Sequence, residues 1–346
     1  MDKLIRIGTR ESELAVWQAT LVQQLLATKN FKSELVFIKS EGDIDLQTPL
    51  YNMGVQGIFT KTLDIALLAN KIDIAVHSMK DVPTQLANGI VQAAVLERAS
   101  YKDIFVYKDN FVNGEPAMVD REWSMENGEL SMVNKNDEGT SIHHSPFTID
   151  GQPFTINDRP LIIATSSIRR KAQWLHRFPH HIIENLRGNV NTRLRKVQDH
   201  NWHGAIFAAA GLERINRRPK NSIDLDWMLP APAQGAIMVV CREEDNFCLD
   251  ACKYFNDNDT ATCTKIERDF LKTLLGGCST PISALAQVKD DKIFFRGNIL
   301  SVDGYEKVEI EKTFDLATAA SAGITAAMEI LSKGADKITS DIINAK

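Results

Sequence analysis

The chain has 346 residues, 44% of them hydrophobic and 25% charged, the make-up of an ordinary globular protein of two or three domains. Its 19 glycines and 11 prolines fall below average usage and exclude a collagen-like or generally disordered chain. A formal net charge of −5 excludes a protein that coats nucleic acid or an anionic membrane with its whole surface, and leaves room for one local basic site.

In chain order, short β-branched runs alternate with helical periodicity. Strand at 4–7, helix at 12–27, strand at 34–39, helix at 59–70 and strand at 73–77 form βαβ grammar. The pattern fails between 107 and 160, where ten acidic residues face four basic ones and apolar periodicity is weak, as in a surface insertion. Inside it, Asn127-Gly128 and Asp150-Gly151 each suit a type I′ turn between β-prone runs, so one or two hairpins are expected. The α/β grammar restarts with strand 161–164, helix 167–177, strand 182–184, helix 190–198 and strand 205–208. The last hundred residues predict a long helix at 260–275, strands near 282–288, 292–300 and 306–314, and a helix at 316–332, a small α+β domain.

No run reaches 18 uninterrupted apolar residues, so no membrane-spanning helix is expected. The first residues enter an apolar alternation with no signal-peptide core. Five cysteines, Cys241, Cys248, Cys252, Cys263 and Cys278, contain no Cys-x-x-Cys pair. A reducing, cytoplasmic setting is the expectation.

Charge is concentrated. Residues 161–220 hold twelve Lys/Arg against three acids, a local +9 with nine arginines among the twelve. A solvated basic helix face is the plain alternative, but arginine is the residue suited to bidentate carboxylate or phosphate recognition, which favours an anionic ligand. Thr165-Ser166-Ser167 leaves a strand and enters a helix beginning with Arg169-Arg170, so hydroxyls and free N–H groups converge there. Arg187-Gly188-Asn189 makes a second such turn. Lys80 and Asp81 follow the apolar strand 73–76, at the carboxyl end where α/β ligands bind, and Pro83 stiffens the turn behind them. His77 reads as a structural histidine. Cys278 lies in Gly276-Gly277-Cys278-Ser279-Thr280-Pro281, a loop where its sulfur is reachable, whereas the other four cysteines read as buried small hydrophobes. Neither His/Cys metal spacing nor a nucleotide-binding glycine loop is present.

These segments, in this order, resemble the porphobilinogen deaminase (hydroxymethylbilane synthase) family. The likeness runs from Ile5-Arg6-Ile7-Gly8-Thr9-Arg10-x-Ser12 through Asp73-Ile74-Ala75-Val76-His77-Ser78-Met79-Lys80-Asp81-Val82-Pro83, Thr165–Arg170, Leu186–Arg193 and Ala209–Arg214 to Pro232-Ala233-Gln234-Gly235-Ala236 and Gly276-Gly277-Cys278. It implies two α/β lobes like those of periplasmic binding proteins, 1–98 with 236–254 and 102–230, plus a C-terminal α+β domain at 258–346. It also implies an enzyme that joins four porphobilinogen molecules head to tail, with loss of ammonia, to give hydroxymethylbilane.

By the same resemblance, Cys278 forms a thioether to a dipyrromethane cofactor, and Asp81 is the catalytic carboxylate that stabilises cationic intermediates and handles protons. Lys80, Asp81, Ser12, Thr165, Ser167, Arg169, Arg170, Arg187 and Gly188 correspond to cofactor-binding positions. Arg10, Ser12, Ser166, Arg187, Arg193, Arg214 and Gln234 correspond to substrate-binding positions. The porphobilinogen acids account for the +9 segment without nucleic acid, membrane or metal, and a monomer is expected. Two departures stand out: Gln56 where the family carries lysine, and Glu41 where a basic residue can occur. The rival reading is a two-lobed binding protein for a small organic anion, which needs no cysteine loop on a third domain.

Overall fold

The computed structural model describes residues 3–39, 60–108, 160–274 and 280–344, and the backbone of 123–126, 129–132, 147–149 and 152–154. The chain opens with β1 (Ile5–Thr9), α1 (Glu13–Ala27), β2 (Ser33–Phe37), α2 (Lys61–Leu68), β3 (Ile74–Ser78) and β4 (Ile90–Val95). There follow β5 (Asp103–Tyr107), β6 (Trp123–Glu126), β7 (Glu129–Met132), β8 (Phe147–Ile149), β9 (Gln152–Phe154), β10 (Ile162–Ala164), α3 (Ile168–Arg177), β11 (Ile182–Glu184), α4 (Val190–Asp199), β12 (Gly204–Ala208), α5 (Ala209–Glu213) and β13 (Ser222–Asp224). Then come β14 (Ile237–Arg242), α6 (Asn246–Lys253), α7 (Asn258–Leu274), β15 (Ile282–Lys289), β16 (Lys292–Leu300), β17 (Lys307–Asp315), α8 (Ala322–Ile330) and α9 (Asp336–Asn344).

The first lobe is a sheet of order β2-β1-β3-β14-β4, in which β1 pairs in parallel with β2 and β3. β14 arrives from far along the chain and runs antiparallel between β3 and β4, with Val239 opposite Val76. Both faces of this sheet are covered. Ile5, Ile7, Ile74 and Val76 pack with Ala19, Val22 and Leu26 of α1, while Ala75, Met238 and Val240 pack with Leu63 and Leu67 of α2. Such double burial explains why β3 and β14 read as continuous apolar runs.

The second lobe has order β11-β10-β12-β5-β13, with β10 parallel to β11 and β12, and β5 antiparallel to β12 and β13. The chain therefore crosses between the lobes twice, from β4 to β5 and from β13 to β14. At the second crossing Gly235 has φ +88°, and a Cβ there would lie 2.7 Å from the carbonyl oxygens of both Ala99 and Ser100. Only glycine fits this close approach of the two crossing strands.

The C-terminal domain is an antiparallel β15-β16-β17 meander backed by α7, α8 and α9. The sequence predicts one helix at 316–332. Instead, a 3₁₀ segment (Leu316–Ser321) precedes α8, and a kink at Gly334, φ +105°, separates α8 from α9. α7 keys this domain into both crossings through Glu267. That fully buried carboxylate accepts from Arg98 Nη1 at 2.6 Å and Nη2 at 3.1 Å, from Ala233 N–H at 2.6 Å and from Ala286 N–H at 2.8 Å. A buried charge is tolerable only when paired and hydrogen-bonded in this way.

Between β5 and β10, β6 pairs with β7 and β8 with β9, each an antiparallel hairpin closing on Glu126 opposite Glu129 and Ile149 opposite Gln152. The turn pairs Asn127-Gly128 and Asp150-Gly151 lie outside the described residues.

Candidate active site

The first lobe contributes the carboxyl ends of β1 and β3. Arg10 and Ser12 follow β1, Ser12 being the N-cap residue of α1. After β3 the chain makes a 3₁₀ turn, Met79–Asp81, and leaves it extended at Val82, as the following proline requires. Backbone bonds hold this turn: Met79 N–H donates to Ala236 O at 3.0 Å, and Val82 N–H donates to Met79 O at 3.1 Å. Burial pulls the Lys80 ammonium down to about 8, with Asp81 and Asp103 supporting its charge and Arg170 and Arg169 opposing it. His77, just before the turn, is buried, and burial together with nearby Arg10 pushes it down to about 3. Its ring is neutral at any working pH.

The second lobe contributes two turns at its own carboxyl ends. After β10, Ser167 N-caps α3 and accepts from Arg170 N–H, and Thr165 Oγ1 accepts from Ser167 N–H at 3.2 Å. Ser166 Oγ donates to Leu186 O at 2.7 Å, tying this turn to the one after β11. There Gly188 has φ +116°, and its carbonyl accepts from Arg193 Nε at 2.7 Å.

Arg169 and Arg170 do not point into solvent. Arg169 Nη1 lies 2.7 Å from Asp103 Oδ2 and donates to Leu229 O at 2.7 Å. Arg170 donates to Asp103 Oδ1 from Nε at 3.0 Å and Nη2 at 2.7 Å, and from Nη1 to Ile206 O at 3.0 Å. Gln234 Nε2 adds a bond to Asp103 Oδ1 at 2.9 Å. These partners hold the wholly buried Asp103 down at about 2 against the burial that would raise it. The Arg169 Nε–H is buried with no acceptor among the described residues.

The two lobes meet electrostatically. Burial pulls the Arg193 guanidinium down to about 10, with Arg170 and Arg187 opposing its charge and Asp81 supporting it. Lys80, Asp81, Arg169, Arg170, Arg187 and Arg193 thus share one neighbourhood, built from the carboxyl ends of both sheets. Together with Asp103 it holds five cations against two carboxylates, and that surplus with an orphan buried donor suits a ligand rich in carboxylates. Arg214 lies to one side, donating to Gly235 O at 2.6 Å with its guanidinium over the Trp17 ring. Gln234 serves the crossing, bonding Tyr101 O at 2.8 Å as well as Asp103.

Cys278, Gln56 and Glu41 lie outside the described residues. The other four cysteines are buried free thiols. Burial pushes Cys241 up to about 11, Cys252 and Cys263 up to about 12, and Cys248 also upward, so none is a thiolate near neutrality. Among the described residues no cluster of His, Cys, Asp and Glu could hold a metal ion. Sequence reasoning missed Asp103, Glu267 and Arg268. A lone acid directly before the apolar run 104–107 is the one available signal for Asp103.

The geometry defines a two-lobed α/β protein with a cationic interlobe cluster, a carboxylate set within it, and a third domain locked onto the chain crossings. The family profile "Porphobilinogen deaminase, dipyromethane cofactor binding domain" matches residues 5–120 and 147–250, and "Porphobilinogen deaminase, C-terminal domain" matches 261–332. A porphobilinogen deaminase of Syntrophotalea carbinolica is 36% identical over 338 residues, covering 96% of this chain and 94% of its own. Another, from Chlorobium phaeobacteroides, is 34% identical over 351 residues, covering 99% of each. The chain belongs to the porphobilinogen deaminase family. Among solved structures, the methionine-binding protein MetQ superposes loosely, with TM-score 0.41 and 12% identity over 75% of this chain and 92% of that one.

Proposed function

We propose that Asp81 is the catalytic carboxylate of this chain and that Cys278 carries its cofactor. As a porphobilinogen deaminase, the chain is a deaminating transferase of tetrapyrrole biosynthesis. It joins four porphobilinogen molecules stepwise on a dipyrromethane primer and yields hydroxymethylbilane. The observation that supports the site is the meeting of Asp81 and Lys80 from the first sheet with Arg170, Arg187 and Arg193 from the second.

Porphobilinogen carries acetate and propionate groups and becomes cationic as ammonia departs. Lys80, Arg169, Arg170, Arg187 and Arg193 hold carboxylates, helped by the hydroxyls of Ser12, Thr165, Ser166 and Ser167 and by the Gly188 backbone, with Arg10, Arg214 and Gln234 at the margins. Asp81, fixed on its turn, stabilises the cationic carbon and pyrrole N–H groups and takes up the proton released after bond formation. Bound dipyrromethane supplies the pyrrole carbon to which the first substrate is joined. The orphan Arg169 donor and the cationic surplus fit its four carboxylates.

The Cys278 assignment is supported by elimination, since the other four thiols are buried and held protonated. Boundaries at 1–98 with 236–254, 102–230 and 258–346 belong to the same reading, as does a monomeric, cytoplasmic enzyme. Intact mass tests the attachment. The purified protein is expected to exceed its sequence mass by two pyrrole units and to colour with Ehrlich's reagent. Cys278→Ser is expected to lose both while Cys241→Ser keeps them, and a mass excess surviving in Cys278→Ser would refute the assignment.

A further inference from the structure

Glu267 and Arg268 stand side by side on α7 and serve different lobes. Glu267 clamps the crossings, as described above. Arg268 reaches the first lobe, where Nη1 donates to Val82 O at 2.9 Å and approaches Met79 O at 3.4 Å, and Nη2 donates to Pro83 O at 2.5 Å. These three carbonyls bracket the Lys80-Asp81 step on both sides. A planar guanidinium can hold several carbonyls in fixed relation, which a point-charge ammonium cannot.

We propose that Arg268 is a positioning residue for the reaction, fixing the turn that presents Asp81. The inference rests on Asp81 being the catalytic carboxylate. The same helix ends at Leu274 and leads directly into residues 275–279, which include Cys278. The Asp81 turn is thereby referenced to the helix whose sequence continues toward Cys278. Past the ladder bond of Met79 N–H to Ala236 O, Val82 N–H donating to Met79 O and the Arg268 guanidinium brace the turn. A displacement of ~1 Å at a reacting group can cost about 10²-fold in rate, so loosening this turn acts on turnover rather than on substrate capture.

The test is Arg268→Gln and Arg268→Lys in the cofactor-loaded enzyme, reading kcat, KM, intact mass and amide hydrogen exchange at Val82. Arg268→Gln is expected to lower kcat by roughly 10-fold or more with KM within about twofold, to retain the cofactor mass, and to speed exchange at Val82 by a similar factor. Arg268→Lys should fall between it and the parent in both exchange and kcat, and it carries the test if the glutamine variant does not fold. Unchanged exchange at Val82 overturns the proposal, as does a kcat within twofold of the parent. Fast exchange with normal kcat, in an enzyme where Asp81→Asn is also fully active, would instead place the failure in the assignment of Asp81.

Discussion

The two lobes bring equivalent sheet ends to the site and use their acids in opposite ways. In the second lobe Asp103 is wholly buried and consumed by Arg169, Arg170 and Gln234. In the first lobe Asp81 is half-buried on a short turn, near enough to Lys80 and Arg193 to support their charges. One carboxylate orders buried cations; the other is the one proposed above for the chemistry. Two buried guanidiniums without Asp103 would repel each other across a poorly solvated gap, so the cationic cluster is tolerable only because an acid has been built behind it.

The contrast breaks most sharply at Asp81. Asp81→Asn keeps the turn and removes the charge, and it is expected to lower turnover by at least about 10², within the usual 10²–10⁴ of acid–base groups, with the denaturation midpoint unchanged. Steady-state kinetics alongside urea unfolding checks this, and near-normal turnover would exclude Asp81 from the chemistry.

At Asp103 the expected effect is on folding. Asp103→Asn leaves two buried cations with no anion and should cost about 3–5 kcal/mol of stability. Because Asp103 sits at about 2 in the folded protein and about 4 when unfolded, its contribution is complete above about pH 4 and fades as pH falls toward 2. Stability measured against pH should therefore lose part of its acid slope in the variant. An unchanged slope would show that Asp103 is no ion-pair hub.

The smallest effect is at Lys80, whose ammonium titrates near 8 in the ligand-free protein. Below that pH it is charged and attracts carboxylates; above it the attraction is lost. Calorimetric binding of porphobilinogen to the cofactor-free Cys278→Ser protein should weaken by a few-fold as pH rises from 7 to 9, and Lys80→Met should abolish that step. A pH-independent affinity in the parent would remove Lys80 from the anion site.

Local signals carried much of this molecule. The bounds of β11 and β16 were readable from β-branched runs between turns, and α3 and α4 from helical periodicity following the turns at Ser167 and Asn189, because those signals lie within a few residues of the structure they specify. So was the clustering of arginines after β10 and β11, since carboxyl-end turns of α/β units face one way. The partners that make the cluster workable were not readable. Asp103 lies 67 residues from Arg170, Arg268 lies 186 from Val82, and Glu267 bonds Arg98 and Ala233, one at each chain crossing. Pattern and capping determined the elements and the residue types at their ends. Only the tertiary structure decided which acid would be spent on buried cations and which left half-exposed beside them, because burial and pairing over such separations depend on how whole sheets and α7 come together.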